Sequence, residues 1–162
     1  MSALQICQWI HDTSLATSIR ESDFVYPIIE TIHVLAIALL VGTVAIVDLR
    51  LLGIVLKRER VSRVAGQVLP LTWAGFVAMF VSGGLLFVAQ AAKSYANPAF
   101  RIKMVLLALV VLNPLVFHST IYRSVGTWDD APAAPRRGRL AAVLSICLWS
   151  GIIIAGRAIA YY

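Results

Sequence analysis

Four apolar runs, at about 28–56, 68–92, 100–122 and 139–160, dominate this chain. Each is close to or above the ~20 residues a helix needs to cross a bilayer. Hydrocarbon offers the backbone no water to bond, so runs of this length fold as membrane helices. The composition agrees: 60% of the 162 residues are hydrophobic and 14% charged, far from the balance of soluble domains. Four spans with short connections consume nearly all of the length. Residues 1–162 are therefore expected to form one membrane domain, an all-α integral membrane four-helix up-down bundle.

Ahead of the first run, residues 3–20 place Leu4, Cys7, Leu15 and Ile19 within an arc of about 120° at helical spacing, with Ile6 and Trp9 off it. This predicts an N-terminal amphipathic helix lying in the membrane interface. Residues 1–20 lack the basic start, apolar core and cleavage site of a secretory signal, so the first span is expected to direct insertion itself. Cys7 and Cys147 show no metal-binding or disulfide spacing and are read as packing residues. Between the spans lie KRERVSR, KSYANPAF and the Pro- and Gly-rich RSVGTWDDAPAAPRRGR.

The net charge of +6 reports topology here, with no nucleic-acid partner implied, because the basic residues cluster at span ends. Arg50, Lys57, Arg58, Arg60, Arg63, Arg123, Arg136, Arg137 and Arg139 flank the first and third loops, against Arg20, Lys93, Arg101, Lys103 and Arg157 opposite. Nine against five places both termini outside the cytoplasm.

Polar residues inside the spans are the candidates for chemistry, since charged forms in hydrocarbon cost ~2.5 kcal/mol or more and need partners. On the first span, with His33 at zero, Tyr26 falls at about 20° and Glu30 and Asp48 at about 60°, so they share one stripe facing the bundle. On the third, His118 shares a face with Tyr122 and Met104 at about 40° and lies near Lys103 at about −60°. Pro114, four residues earlier, is expected to kink the helix and turn His118 inward.

Imidazole is the usual protein ligand of b-type haem, and a bundle offers facing helices around a haem-sized slot. His33 and His118 are therefore the candidate ligands, with Met104, His11 or a residue of a partner subunit as second ligands. Glu30 is expected to accept the free N–H of His33 and orient its ring. On the second span Trp73, Phe80, Gly84 and Phe87 align, and the Gly83-Gly84 pair offers a flat ring close approach to the backbone. Arg101, Lys103 and Arg157 would meet the propionates.

The depths argue against one shared ring: His33 lies about 14 Å outward of the mid-plane and His118 about 9 Å inward at 1.5 Å per residue, which points to separate haems or shifted registers. Plainer roles exist for the same residues. A histidine beside a carboxylate is also a structural pair, an aromatic stripe is also core, and basic span ends also anchor to the interface. Glu30 and His33, in Glu-x-x-His spacing, with Asp48 as a further donor, leave a copper or zinc ion as the alternative, and a structural subunit as another. Gly151 and Ala155 form a small-xxx-small patch suited to a homodimer or to packing inside the bundle.

Through YPIIETIHVLAIALLVGTVAIVDLRLLG, TWAGFVAMFVSGGLLF and YANPAFRIKMVLLALVVLNPLVFH, the chain resembles a small family of bacterial four-span membrane proteins of unknown function. More distantly it is similar to small membrane cytochromes b and to the copper-resistance D membrane domain, which carry histidines on bundle helices. Only His33 and His118 match that pattern, and the usual pairs of histidines on two helices are missing. The resemblance implies a multi-pass protein of the bacterial inner membrane, and in a bacterium the charge count then puts both termini in the periplasm. The expected function is haem-based electron transfer with a quinone or periplasmic redox partner.

Overall fold

The computed structural model describes residues 2–161. Among the described residues seven α-helices follow one another: α1 (Ala3–His11), α2 (Ser14–Arg20), α3 (Val25–Leu51), α4 (Val61–Ala89), α5 (Ala91–Ala96), α6 (Pro98–Thr120) and α7 (Arg136–Ala158). Short 3-10 helices occupy Tyr122–Thr127 and Ile159–Tyr161. Four of these, α3, α4, α6 and α7, are long and apolar enough to cross a membrane. With 27, 29, 23 and 23 residues, each exceeds the ~20 that a bilayer core requires.

Local chemistry sets where these helices begin and end. At the start of α6, the Asn97 side chain accepts from the N–H groups of Ala99 (2.9 Å) and Phe100 (3.3 Å), and Pro98 sits in the first turn, where its missing N–H is harmless. α3 stops before Gly53, whose φ of +70° is left-handed, and a Cβ there would lie 2.6 Å from the Pro132 carbonyl oxygen. Glycine is required by both conformation and space. The second span starts at Val61 rather than near 68, because Ser62 and Arg60 are held by Asp129 and Asp130 across the loops. Polar residues that looked like loop thus complete the first turn of α4. In the N-terminal segment two helices replace the expected single one, with Ser2 and Thr13 capping them separately. Cys7, Ala16 and Ile19 are buried while Leu4 and Leu15 are exposed; α1 lies on α5, and α2 on α3 and α4.

At one end of the molecule, Gln90 Nε2 donates to the Tyr26 hydroxyl (2.7 Å), Asn97 Nδ2 donates to the Ile159 carbonyl (3.2 Å), and the Phe87 and Phe100 rings stack at 5.6 Å. The starts of α3 and α6 therefore share this end with the finishes of α4 and α7. At the other end, Arg50 and the N–H of Ala134, which donates to the Leu51 carbonyl (2.9 Å), tie α3 to the long third connection.

Between the ends, Ala36 and Leu40 of α3, Met79 of α4, Val110 of α6 and Leu148, Trp149 and Ile152 of α7 form one buried cluster. Gly75 lets α4 close on α3, its Cβ position only 3.0 Å from the Leu40 nitrogen. A Cβ on Gly151 would lie 3.2 Å from Leu106 Cδ1, and Ala155 is buried. The small-residue patch that suggested a homodimer is thus occupied by α6 of the same chain. Outward faces carry exposed Val34, Leu35, Val77, Val105, Leu115 and Ile154, which suits contact with lipid acyl chains.

Candidate functional site

His33 is half-buried on α3, about 12 Å from the Tyr26 end at 1.5 Å per residue. Its Nδ1 lies 2.9 Å from Ser82 Oγ on α4. That serine spends its own proton on the carbonyl of Ala78, one turn back, so its oxygen accepts and the imidazole N–H donates. The proton is therefore on Nδ1 and the lone pair on Nε2. The Met79 carbonyl is a second acceptor beside the ring, and among the described residues the bond within ordinary distance is made by Nδ1, not Nε2. A serine bonded within its own helix has oriented a histidine on the next one.

Close approach of α4 makes this possible. A Cβ on Gly83 would stand 2.9 Å from His33 Cε1, closer than real atoms pack. On α6, Lys103 lies near enough for its charge to act on His33, while its side chain runs against Gly156 of α7. Among the described residues no carboxylate reaches Lys103; the ion pairs are Arg60 with Asp130 and Arg63 with Glu59. A lysine with no carboxylate partner among the described residues, in the same part of the bundle as an imidazole lone pair, is chemically a place for an anion or for a ligand that needs a Lewis base.

The other expected site residues fall elsewhere. Glu30 is exposed and makes no hydrogen bond to His33; Ser82 has the orienting role expected of it. His118 is exposed near the opposite end of α6, its ring 4.5 Å from that of Tyr122, and Pro114 does not turn it inward because α6 continues unbroken through the proline. Along the helix axes His33 and His118 are about 18 Å apart, so no single iron can reach both. Met104 and Arg101 are exposed. Gly84 faces outward with nothing within 4 Å of a Cβ placed there, so Gly83 is the glycine that meets the imidazole. Trp73 and Phe80 are also outward, at 59% and 71% exposure, which leaves them no part in an interior wall. His11 Nδ1 faces Arg20 Nη1 at 3.4 Å; arginine only donates, so that nitrogen is an occupied acceptor. Among the described residues no three of His, Cys, Asp and Glu converge as a metal site would require. Ser82 escaped the sequence reading, which named the Gly83-Gly84 pair but not the serine before it; the break of Ser-Gly-Gly inside an apolar run was the signal.

At the Arg50 end the polar contacts are of a different kind. Arg50 is fully buried and donates from Nε to the Glu59 carbonyl (2.7 Å) and from Nη2 to the Ala131 carbonyl (3.0 Å), with longer contacts to Pro132 (3.4 Å) and Asp129 (3.5 Å). Asp129 accepts from the backbone N–H and the hydroxyl of Ser62. These bonds hold the first and third connections together and offer no open coordination position.

Four apolar helices closing on a shared core, with polar contacts inside, define a multi-pass membrane protein. Residues 8–162 match the family described as "Family of unknown function (DUF6644)", and the chain belongs to that family. No curated protein and no solved structure matches it.

Proposed function

We propose that the protein is an up-down four-helix bundle of the bacterial inner membrane, with periplasmic termini, that binds b-type haem through His33 and passes electrons between a quinone or periplasmic donor and an acceptor. The observation that carries this reading is the His33 imidazole, its tautomer set by Ser82 and its Nε2 free of hydrogen-bond partners among the described residues, within the field of Lys103. The donor set suits a haem with one protein ligand and does not suit a His33–His118 pair. When bound, such a group supplies one-electron transfer. The chain's own contribution is positional: Ser82 presents the lone pair, Gly83 admits the ring edge, and Lys103 neutralises a carboxylate. The runner-up, a copper or zinc ion, would require donors beyond His33, and Asp48 lies 15 residues along the same helix, about 22 Å away.

The test is the visible spectrum of the purified protein, oxidised and reduced. A Soret band that shifts on reduction, lost in His33→Ala, weakened in Lys103→Met and kept in His118→Ala, is the expected result. A colourless protein, or a spectrum indifferent to His33→Ala, refutes haem ligation at this site.

A further inference from the structure

A second polar site lies near the Arg50 end of the molecule, about one turn from the end of α3, on the seam between α3 and α7. Asp48 is 6% exposed, and among the described residues its Oδ2 is the one buried side-chain nitrogen or oxygen with no hydrogen-bond partner. The buried Ser145 of α7 lies beside the same carboxyl. Asp48 also borders a cavity of about 80 Å³ whose other walls are Val41, Ala45, Ile146, Trp149, Ser150 and Ile153. At about 30 Å³ per water, this holds roughly two to three molecules.

Among the described residues no cation pairs with the carboxyl. On α3 itself, Arg50 spends its guanidinium on loop carbonyls. From α4, Arg60 and Arg63 are paired with Asp130 and Glu59. α7 presents no titratable group to the cavity, its nearest charge, Arg139, being exposed six residues before Ser145. An ionised, unpaired carboxylate in such a setting costs several kcal/mol, and one carboxylate with a hydroxyl or two is far short of the six or so oxygens that a metal cation gathers. A bound proton meets the same need with one atom: the neutral acid donates its O–H to water or to Ser145 and leaves no charge in the seam.

We propose that Asp48 is a proton-binding site, holding a proton together with a small water cluster between α3 and α7, separate from the His33 centre. The experiment is infrared difference spectroscopy on the full-length protein in lipid nanodiscs at neutral pH. Expected is a protonated-carboxyl C=O band that shifts in D₂O, moves on isotopic labelling of aspartate carboxyl carbons, and is absent in Asp48→Asn. Ser145→Ala should change the band's frequency without removing it, because it alters one hydrogen-bond neighbour. Isotopic labelling on the unmodified chain keeps the test valid even if Asp48→Asn does not fold. Absence of any such aspartate band at neutral pH overturns the proposal, as does an ionised-carboxylate signal that responds to sodium in place of protons. Neither outcome depends on whether haem is bound at His33.

Discussion

Replacing Arg50 by methionine keeps much of the side-chain volume and removes every donor. In the native protein two of its bonds are well formed, Nε to the Glu59 carbonyl at 2.7 Å and Nη2 to the Ala131 carbonyl at 3.0 Å. Hydrogen bonds from a charged donor contribute about 1.5–3 kcal/mol each, so the pair accounts for roughly 3–6 kcal/mol. The contacts at 3.4 and 3.5 Å are too long to add to this. Methionine leaves little cavity, and water at the membrane surface can reach some of the freed carbonyls, so the expected loss is near the lower bound, about 3 kcal/mol. Lysine retains the charge but cannot reach two carbonyls in a fixed fork, and Arg50→Lys should fall between the two. Reversible unfolding in mixed micelles of rising SDS content measures these differences. Trp128, buried in the same cluster as Leu51 and Val61, is a local fluorescence probe. An Arg50→Met protein within about 0.5 kcal/mol of the original would refute the assignment of this residue as the tie between the two connections. Arg63→Met, which breaks only the exposed pair with Glu59, is the control and should be indistinguishable from the native chain.

Gly83→Ala forces a Cβ to 2.9 Å from His33 Cε1, so the imidazole must shift off Ser82; a loss of about 1–3 kcal/mol is expected, whereas Gly84→Ala, which meets nothing within 4 Å, should be neutral in the same unfolding assay. Burial alone would raise the Asp129 carboxyl, but hydrogen bonds from the Ser62 hydroxyl and N–H, with the charges of Arg60 and Arg50, outweigh it and hold the group below the usual carboxylate range. A carboxyl depressed in the folded state stabilises fully above its unfolded pKa and loses that contribution as pH falls through the folded one. The unfolding midpoint of Ser62→Ala should therefore lie below the native one at neutral pH, and the gap should close in acid; a gap independent of pH would count against it. For orientation, a cysteine at Thr127, on a background without Cys7 and Cys147, should resist impermeant thiol reagents in intact cells, and one at Ala96 should label. Both positions are exposed, so the reverse pattern would put the Tyr26 end in the cytoplasm.

Four spans were legible because hydropathy and length are properties of each segment alone, and a bilayer leaves a long apolar run few other solutions. Helical periodicity likewise placed Tyr26, His33 and Asp48 on one stripe, and these residues do find polar neighbours: Gln90, Ser82 and Ser145. The same periodicity misplaced Glu30 and His118, both exposed, because an angle on one helix does not say which helix, if any, covers it. Ser82, Gly83 and Lys103 reach His33 from α4 and α6, whose rotation and depth follow from contacts such as Gly75 against Leu40 and Phe87 against Phe100. The tie made by Arg50 was hidden for a related reason: a basic residue at a span end reads as a topology signal until the chain 80 residues on is seen to bring its carbonyls to the guanidinium. Apolar runs specified four membrane helices within the chain itself; which polar groups meet was decided only by close packing between helices, where steric fit at a few small residues sets register to a fraction of a turn.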